Sequence, residues 1–132
     1  MECTITFPGG MRVDAHFRDL HVATDQTVKG GGEGSAPTPF MTFLASLGTC
    51  AGYYVLNFCK SRDIPTEGIR ITQNTVVNPE TKMVEQVSID IHVPPTFPEK
   101  YHAALIRSAD QCTVKKHLEH PPTITTRTVV TG

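Results

Sequence analysis

Two patterns that would signal bound metal are missing from this chain of 132 residues. No CxxC occurs, and its six histidines form no close pair opposite a cysteine pair. Zn²⁺ sites are built from such clusters, so neither a metal nor another cofactor is expected. A basic stripe is lacking too: 12 Lys and Arg against 13 Asp and Glu leave a net charge of −1, with the cations scattered. Phosphate backbones demand a concentrated positive surface, which argues against nucleic acid as a partner. The opening MECTITFPGGMR shows no basic stretch followed by an apolar core and a small-residue cleavage site, so the expected location is the cytoplasm. In that reducing compartment Cys3, Cys50, Cys59 and Cys112 should be free, redox-active or simply buried rather than structural bridges.

A third absence is local. Residues 34–59 carry no charged side chain, and Cys50 lies near their middle beside Gly48, Thr49 and Gly52. Thr38-Pro39 reads as a helix start, with Thr as N-cap and Pro where a missing N–H costs nothing. From Phe40 to about Arg62 the apolar side chains surround the axis, the pattern of a helix buried on most sides. The run is long enough to cross a membrane, and Gly48 and Gly52 form a GxxxG pair. Thr42, Ser46, Thr49 and Asn57, the proline-bounded start and the soluble pattern of the residues after Arg62 favour a core helix without membrane contact. A helix of ~22 residues is about 33 Å long, more than one chain of this size can cover, so a second subunit is expected to help bury it.

Around this helix the periodicity changes. CTITF, MRVDAHF and LHVAT are short β-rich runs, the first two separated by Pro8, Gly9 and Gly10, and they predict an antiparallel meander. Residues 29–39 are rich in glycine and proline and form a loop, either a lid or strap or a connection without a role. Beyond Pro65, two alternating runs ending at Val77 and starting at Met83 predict a hairpin with one wet face. Pro98 opens a second helix in which Tyr101, Leu105 and Ala109 share a face, a break is expected near Asp110, and further helical turns start at Cys112. TITTRTVV at the C-terminus alternates as a final strand. The order βββ-α-ββ-α-α-β describes a single α+β domain over residues 1–132.

Geometry sorts the cysteines. Cys50 and Cys59 are nine residues apart on one helix, on opposite faces and about 13 Å apart along the axis, too far for a bridge. Cys3 and Cys59 read as small apolar packers. Cys112 sits at a helix start with Lys115, Lys116 and His117 behind it, features that lower a thiol pKa, whereas Cys50 is deep in a helix and needs an outside cation. Two thiols in different surroundings suit peroxide reduction, in which one becomes a sulfenic acid and the other condenses with it. Two unrelated buried cysteines fit the spacing equally well.

The segments PTPFMTFLASLGTCAGYYVLNFCKSRDIPTEGI and SADQCTVKKHLEHPPTI resemble the OsmC/Ohr family, osmotically inducible protein C and organic hydroperoxide resistance proteins. That resemblance implies an OsmC-like fold, antiparallel sheets wrapped around a long central helix in an intertwined homodimer with its site at the subunit boundary. It implies Cys50 as the peroxidatic thiol and Cys112 as the resolving one, with a dihydrolipoyl or low-molecular-weight thiol as external reductant. The family's hydroperoxide reductases begin the cysteine helix with Pro-Glu, the glutamate orienting an arginine that activates the thiol. This chain has Pro39-Phe40 there, which leaves Glu33 for the glutamate and Arg12 or Arg18 for the arginine. Phe40, Phe43, Leu47 and Tyr54 are candidates to line a pocket for a small organic hydroperoxide. The expected function is thus a thiol-dependent peroxidase, and the alternative is a non-catalytic dimeric protein holding a small apolar ligand.

Overall fold

Alternating side chains between glycine turns make the N-terminal meander. Its strands β1 (Thr4–Gly9), β2 (Arg12–Phe17) and β3 (Leu20–Thr24) pair antiparallel in the order β1-β2-β3. Gly10, at φ 56°, turns the chain from β1 to β2, a conformation that side chains with a Cβ avoid. The computed structural model describes residues 1–132, in two compact units, Met1–Ser46 and Leu47–Gly132.

In the first unit the glycine-rich loop is organised by Asp25, which is only 1% exposed. Its carboxylate accepts hydrogen bonds from the amides of Gln26 (2.7 Å), Glu33 (3.3 Å) and Ser35 (3.0 Å) and from the Ser35 hydroxyl (2.6 Å). A Cβ at Gly32 would come within 2.3 Å of the Gln26 carbonyl oxygen, so the loop can close this tightly only with glycine there. Composition left open a strap or an idle connection, and the structure shows a loop tied to one buried carboxylate.

Helix α1 (Pro39–Ser61) begins as the sequence predicts, the Thr38 hydroxyl accepting the Met41 amide at 3.2 Å. Length and composition would let it cross a membrane. The expectation that α1 is buried on most sides fails for the chain alone. Only Leu47, Ala51, Val55, Phe58 and Cys59 are buried, while Met41, Tyr53 and Leu56 are exposed, because one hairpin and two short helices cover a single stripe. Gly48 and Gly52 serve the hairpin: a Cβ at Gly48 would meet the Gln73 side chain at 2.6 Å, and one at Gly52 would lie 3.7 Å from Ile71.

That hairpin is β4 (Arg70–Val77) and β5 (Val84–His92), antiparallel, with Ile71 opposite Ile91 and Gln73 opposite Ile89. Asn78 builds the turn, its side-chain oxygen accepting the amides of Glu80 and Thr81. A 3₁₀ turn (Glu99–Tyr101) leads into α2 (His102–Ala109), and α3 (Thr113–Glu119) follows the break expected at Asp110. The core of this unit joins Ala51, Val55, Phe58 and Cys59 of α1 to Phe97, Leu105 and Ala109, with Ile71, Ile89 and Ile91 of the hairpin against it. The predicted last strand is absent: residues 120–132 have no ladder partner, and Ile124, Val129 and Val130 are exposed. Alternation suits a pleated face, but a strand exists only where a neighbour supplies hydrogen bonds. Cys3, expected to pack, is exposed.

The hydrogen bonds from the Ser35 hydroxyl and amide lower the Asp25 pKa to about 2, assisted by the amides of Gln26 and Glu33 and opposed by burial. A carboxylate with a folded pKa below its unfolded value of about 3.9 stabilises the fold above the unfolded pKa, and the contribution disappears as pH falls through the folded one. Asp25→Asn should therefore lower the urea midpoint at pH 7, and its gap from wild type should shrink between about pH 4 and about pH 2. A gap independent of pH would contradict this role.

Candidate active site

The hairpin and α2 hold α3 so that its first turn meets α1. Cys112 caps α3, its sulfur accepting the Lys115 amide at 3.4 Å, and its thiol also reaches the Leu47 carbonyl of α1 at 3.9 Å. Leu47 lies just under one helical turn before Cys50, so the cap and the Cys50 sulfur come together, close enough for the Cys112 side chain to act on the Cys50 thiol. One further contact ties the helices, Tyr54 Oη to Thr113 Oγ1 at 3.4 Å. All four cysteines are reduced, Cys50 partly exposed and Cys112 buried.

This geometry reverses the expected acidities. Burial alone would push the Cys50 thiol up. Against it act hydrogen bonds to the sulfur from the Val114 amide, the Cys112 thiol, and the amide and hydroxyl of Thr113, which together hold Cys50 below the ordinary thiol value. Burial is the main cause that raises Cys112; the Lys115 amide works against it, while donating to Cys50 pushes it further up. The unsatisfied amides of a helix start favour negative charge, as the sequence suggests, but here they serve the sulfur on α1 rather than the cysteine at their own cap. No outside cation is needed for this effect. Lys115 contributes its amide, its ammonium being engaged by Asp110 at 3.0 Å. His117 bonds back to the Thr113 carbonyl at 2.7 Å and is not among the causes that shift Cys112.

The other candidates divide between the units. Leu47 and Tyr54 adjoin the thiol pair, whereas Phe40 and Phe43 contact each other in the first turns of α1, with ring centroids 5.6 Å apart. Arg18, at φ 53°, occupies the exposed turn between β2 and β3. Glu33 and Arg12 line a small cavity of about 110 Å³ in the first unit with Asp25, and no ion pair joins Glu33 to Arg12 or Arg18. Sequence reasoning missed Thr113 and Val114. Their signal was the helix start at Cys112, and what it could not supply was which sulfur the amides face. Cys59 is fully buried, and burial raises its pKa.

Comparison with known proteins agrees with this architecture. The family described as OsmC-like protein matches residues 32–127. A search of curated proteins gives no match. Among solved structures, an osmotic stress induced and detoxification response protein of Psychrobacter arcticus shares 22% identity over 86% of this chain and 85% of its own, with a TM-score of 0.73. The organic hydroperoxide resistance protein OsmC of Legionella pneumophila shares 18% over 89% of each chain, with a TM-score of 0.58. One from Vibrio cholerae, solved with captopril in one of its active sites, shares 16% over 92% of this chain and 86% of its own, with a TM-score of 0.61. At these identities the likeness is one of fold.

Thr113→Pro tests the amide effect without removing the helix, since proline is tolerated at a first helical position and Cys112 already has the extended backbone proline requires, with ψ 119°. At pH 7 iodoacetamide should modify Cys50 before Cys112 and Cys59 in wild type. The substitution should slow Cys50 about tenfold, the equivalent of about one pKa unit. Mass spectrometry of peptides from a time course reads both; an unchanged Cys50 rate would show that the amide and hydroxyl of Thr113 do not matter.

Proposed function

The chain belongs to the OsmC-like protein family, and on that premise we propose that it is a thiol-dependent peroxidase for organic hydroperoxides. The observation that carries this reading is the meeting of two reduced thiols, Cys50 partly exposed and lowered by the first turn of α3, and Cys112 buried at the cap of that helix and raised. The Cys50 thiolate attacks an oxygen of the hydroperoxide, the O–O bond breaks, and the alkoxide takes up a proton and leaves as the alcohol while Cys50 becomes a sulfenic acid. Cys112, as thiolate, then attacks that sulfur. Hydroxide departs and is protonated to water, and a Cys50–Cys112 disulfide forms. An external dithiol reduces the bridge, returning two thiols and carrying away its own disulfide.

Hydrogen bonds from α3 lower the Cys50 thiol without calling on the family's Pro-Glu, which Pro39-Phe40 replaces here. Leu47 and Tyr54 adjoin the sulfurs, and apolar surface there would favour an organic peroxide over hydrogen peroxide. A second copy is part of the reading. Met41, Tyr53 and Leu56 leave one face of α1 exposed, as are Ile124, Val129 and Val130, and an apolar surface of this kind marks an interface. The assembly is a homodimer of single OsmC-like domains in the cytoplasm.

One equivalent of cumene hydroperoxide should produce a Cys50–Cys112 disulfide detectable by peptide mass spectrometry. Cys112→Ser should stop at a Cys50 sulfenic acid trapped by dimedone, and Cys50→Ser should consume no peroxide. Thiols that stay reduced under conditions that oxidise a known peroxidase would refute the reading. Sedimentation of wild type should give a dimer, and a monomer at micromolar concentration would remove the second copy from it.

A further inference from the structure

Beyond the thiols, α1 ends at a pocket of about 250 Å³ whose lining includes Asn57, Ser61, Arg62, Arg107, Ser108 and Gln111. No acidic side chain lines it. Arg62 is held in place: its guanidinium lies 3.8 Å from the Phe58 ring centroid, and Nη1 donates to the Phe58 carbonyl at 3.4 Å and to the Ser61 hydroxyl at 3.1 Å. Those bonds, with the Ser61 hydroxyl on the same carbonyl at 3.0 Å, occupy the helix end and leave Nε and both Nη2 hydrogens of Arg62 as donors. Arg107, on exposed α2 surface, has no ion-pair or hydrogen-bond partner, the one ion pair of the chain being Lys115 with Asp110. Two guanidinium groups, one immobilised and one unpaired, with the side-chain amides of Asn57 and Gln111 in the same lining, make a receptor for a carboxylate.

The pocket is aligned with the reactive sulfur. Cys50, Tyr54, Asn57 and Ser61 recur at intervals of about four, three and four residues and so share one face of α1, with Cys50 about 11 Å from Asn57 and about 17 Å from Ser61 along the axis. The Ser108 hydroxyl, donating to the Tyr54 carbonyl at 3.4 Å, keeps α2 beside this track. We propose that Arg62 and Arg107 bind the carboxylate of an aliphatic reactant whose other end reaches Cys50. This rests on the peroxidase reading for its role in turnover, though not for binding itself. The carboxylate belongs to the hydroperoxide or to the reducing thiol, and both present the same chemistry to the pocket.

Octanoate and octanamide separate charge from chain. Titrated into wild type and followed by amide NMR shifts, octanoate should perturb residues around 57–62 and 107–111 and bind at least about tenfold tighter than octanamide. The double variant Arg62→Gln/Arg107→Gln should lose that preference, and Arg62→Lys/Arg107→Lys should keep part of it. Arg107→Gln alone, on an exposed helical position, should weaken octanoate without threatening the fold. Equal binding of the two probes, or octanoate binding untouched by the double glutamine variant, overturns the site. In turnover, a carboxylate-bearing aliphatic hydroperoxide is compared with its methyl ester, and dihydrolipoate with dihydrolipoamide. A KM that rises about tenfold in the double variant for one carboxylate reactant and not for its neutral counterpart identifies the source of the anion. Unchanged KM for both carboxylate reactants overturns the role in the reaction. If wild type turns over no peroxide, the function reading fails while the octanoate titration still decides the pocket.

Discussion

The chemistry of this protein depends on a backbone contact: the first amides of a seven-residue helix pointing at the sulfur of a different helix. A thiolate partly withdrawn from water is unfavourable unless donors replace the lost hydration. Here Val114 and Thr113 supply them, and Cys112 completes the set from the cap of the same helix. The arrangement makes the two cysteines unequal, because the hydrogen bond that lowers one raises the other. Inequality is what a two-thiol cycle requires, since the attacking sulfur must be charged while its partner keeps its proton until the first oxidation is complete.

Holding that contact is the task of the Leu47–Gly132 unit. Gly48 and Gly52 bring the β4–β5 hairpin close against α1, and Leu105 and Ala109 pack α2 into the same core. The chain then breaks at Asp110 and restarts at Cys112, which places a helix start where the Cys50 sulfur lies. A small residue on α1, a buried stripe on α2 and a cap at Cys112 are thus links of one chain of causes from sequence to acidity. The same economy leaves much of α1 uncovered, since a unit of this size can wrap one stripe and no more.

Much of this was legible in the sequence. The Thr38-Pro39 start, the hairpin about Asn78, the break at Asp110 and the helix restarting at Cys112 follow from local rules of capping, alternation and turn chemistry, and the OsmC-like membership follows from the two cysteine segments. Long-range contacts were not legible. Helical periodicity around α1 suggested burial on most sides because it records apolar residues and not what covers them. The alternation of residues 123–130 suggested a strand although no ladder partner is present in the chain. Thiol acidity is a third such case: charge near Cys112 in sequence points to a lowered thiol there, but says nothing about which sulfur receives the amides of residues 113 and 114. Asp25 escaped notice for the same reason: its partners, Glu33 and Ser35, become neighbours only when the loop closes.

The central claim is that α3, rather than an arginine, makes Cys50 acidic. Titrating protein labelled with ¹³Cβ-cysteine by NMR measures this directly. The Cys50 resonance should titrate below ~8.5, the value for free cysteine, Cys112 should titrate above it, and replacing Arg12 and Arg18 with glutamine should leave Cys50 where it is. A Cys50 titration at or above ~8.5, or one that moves upward when either arginine is removed, would contradict the account.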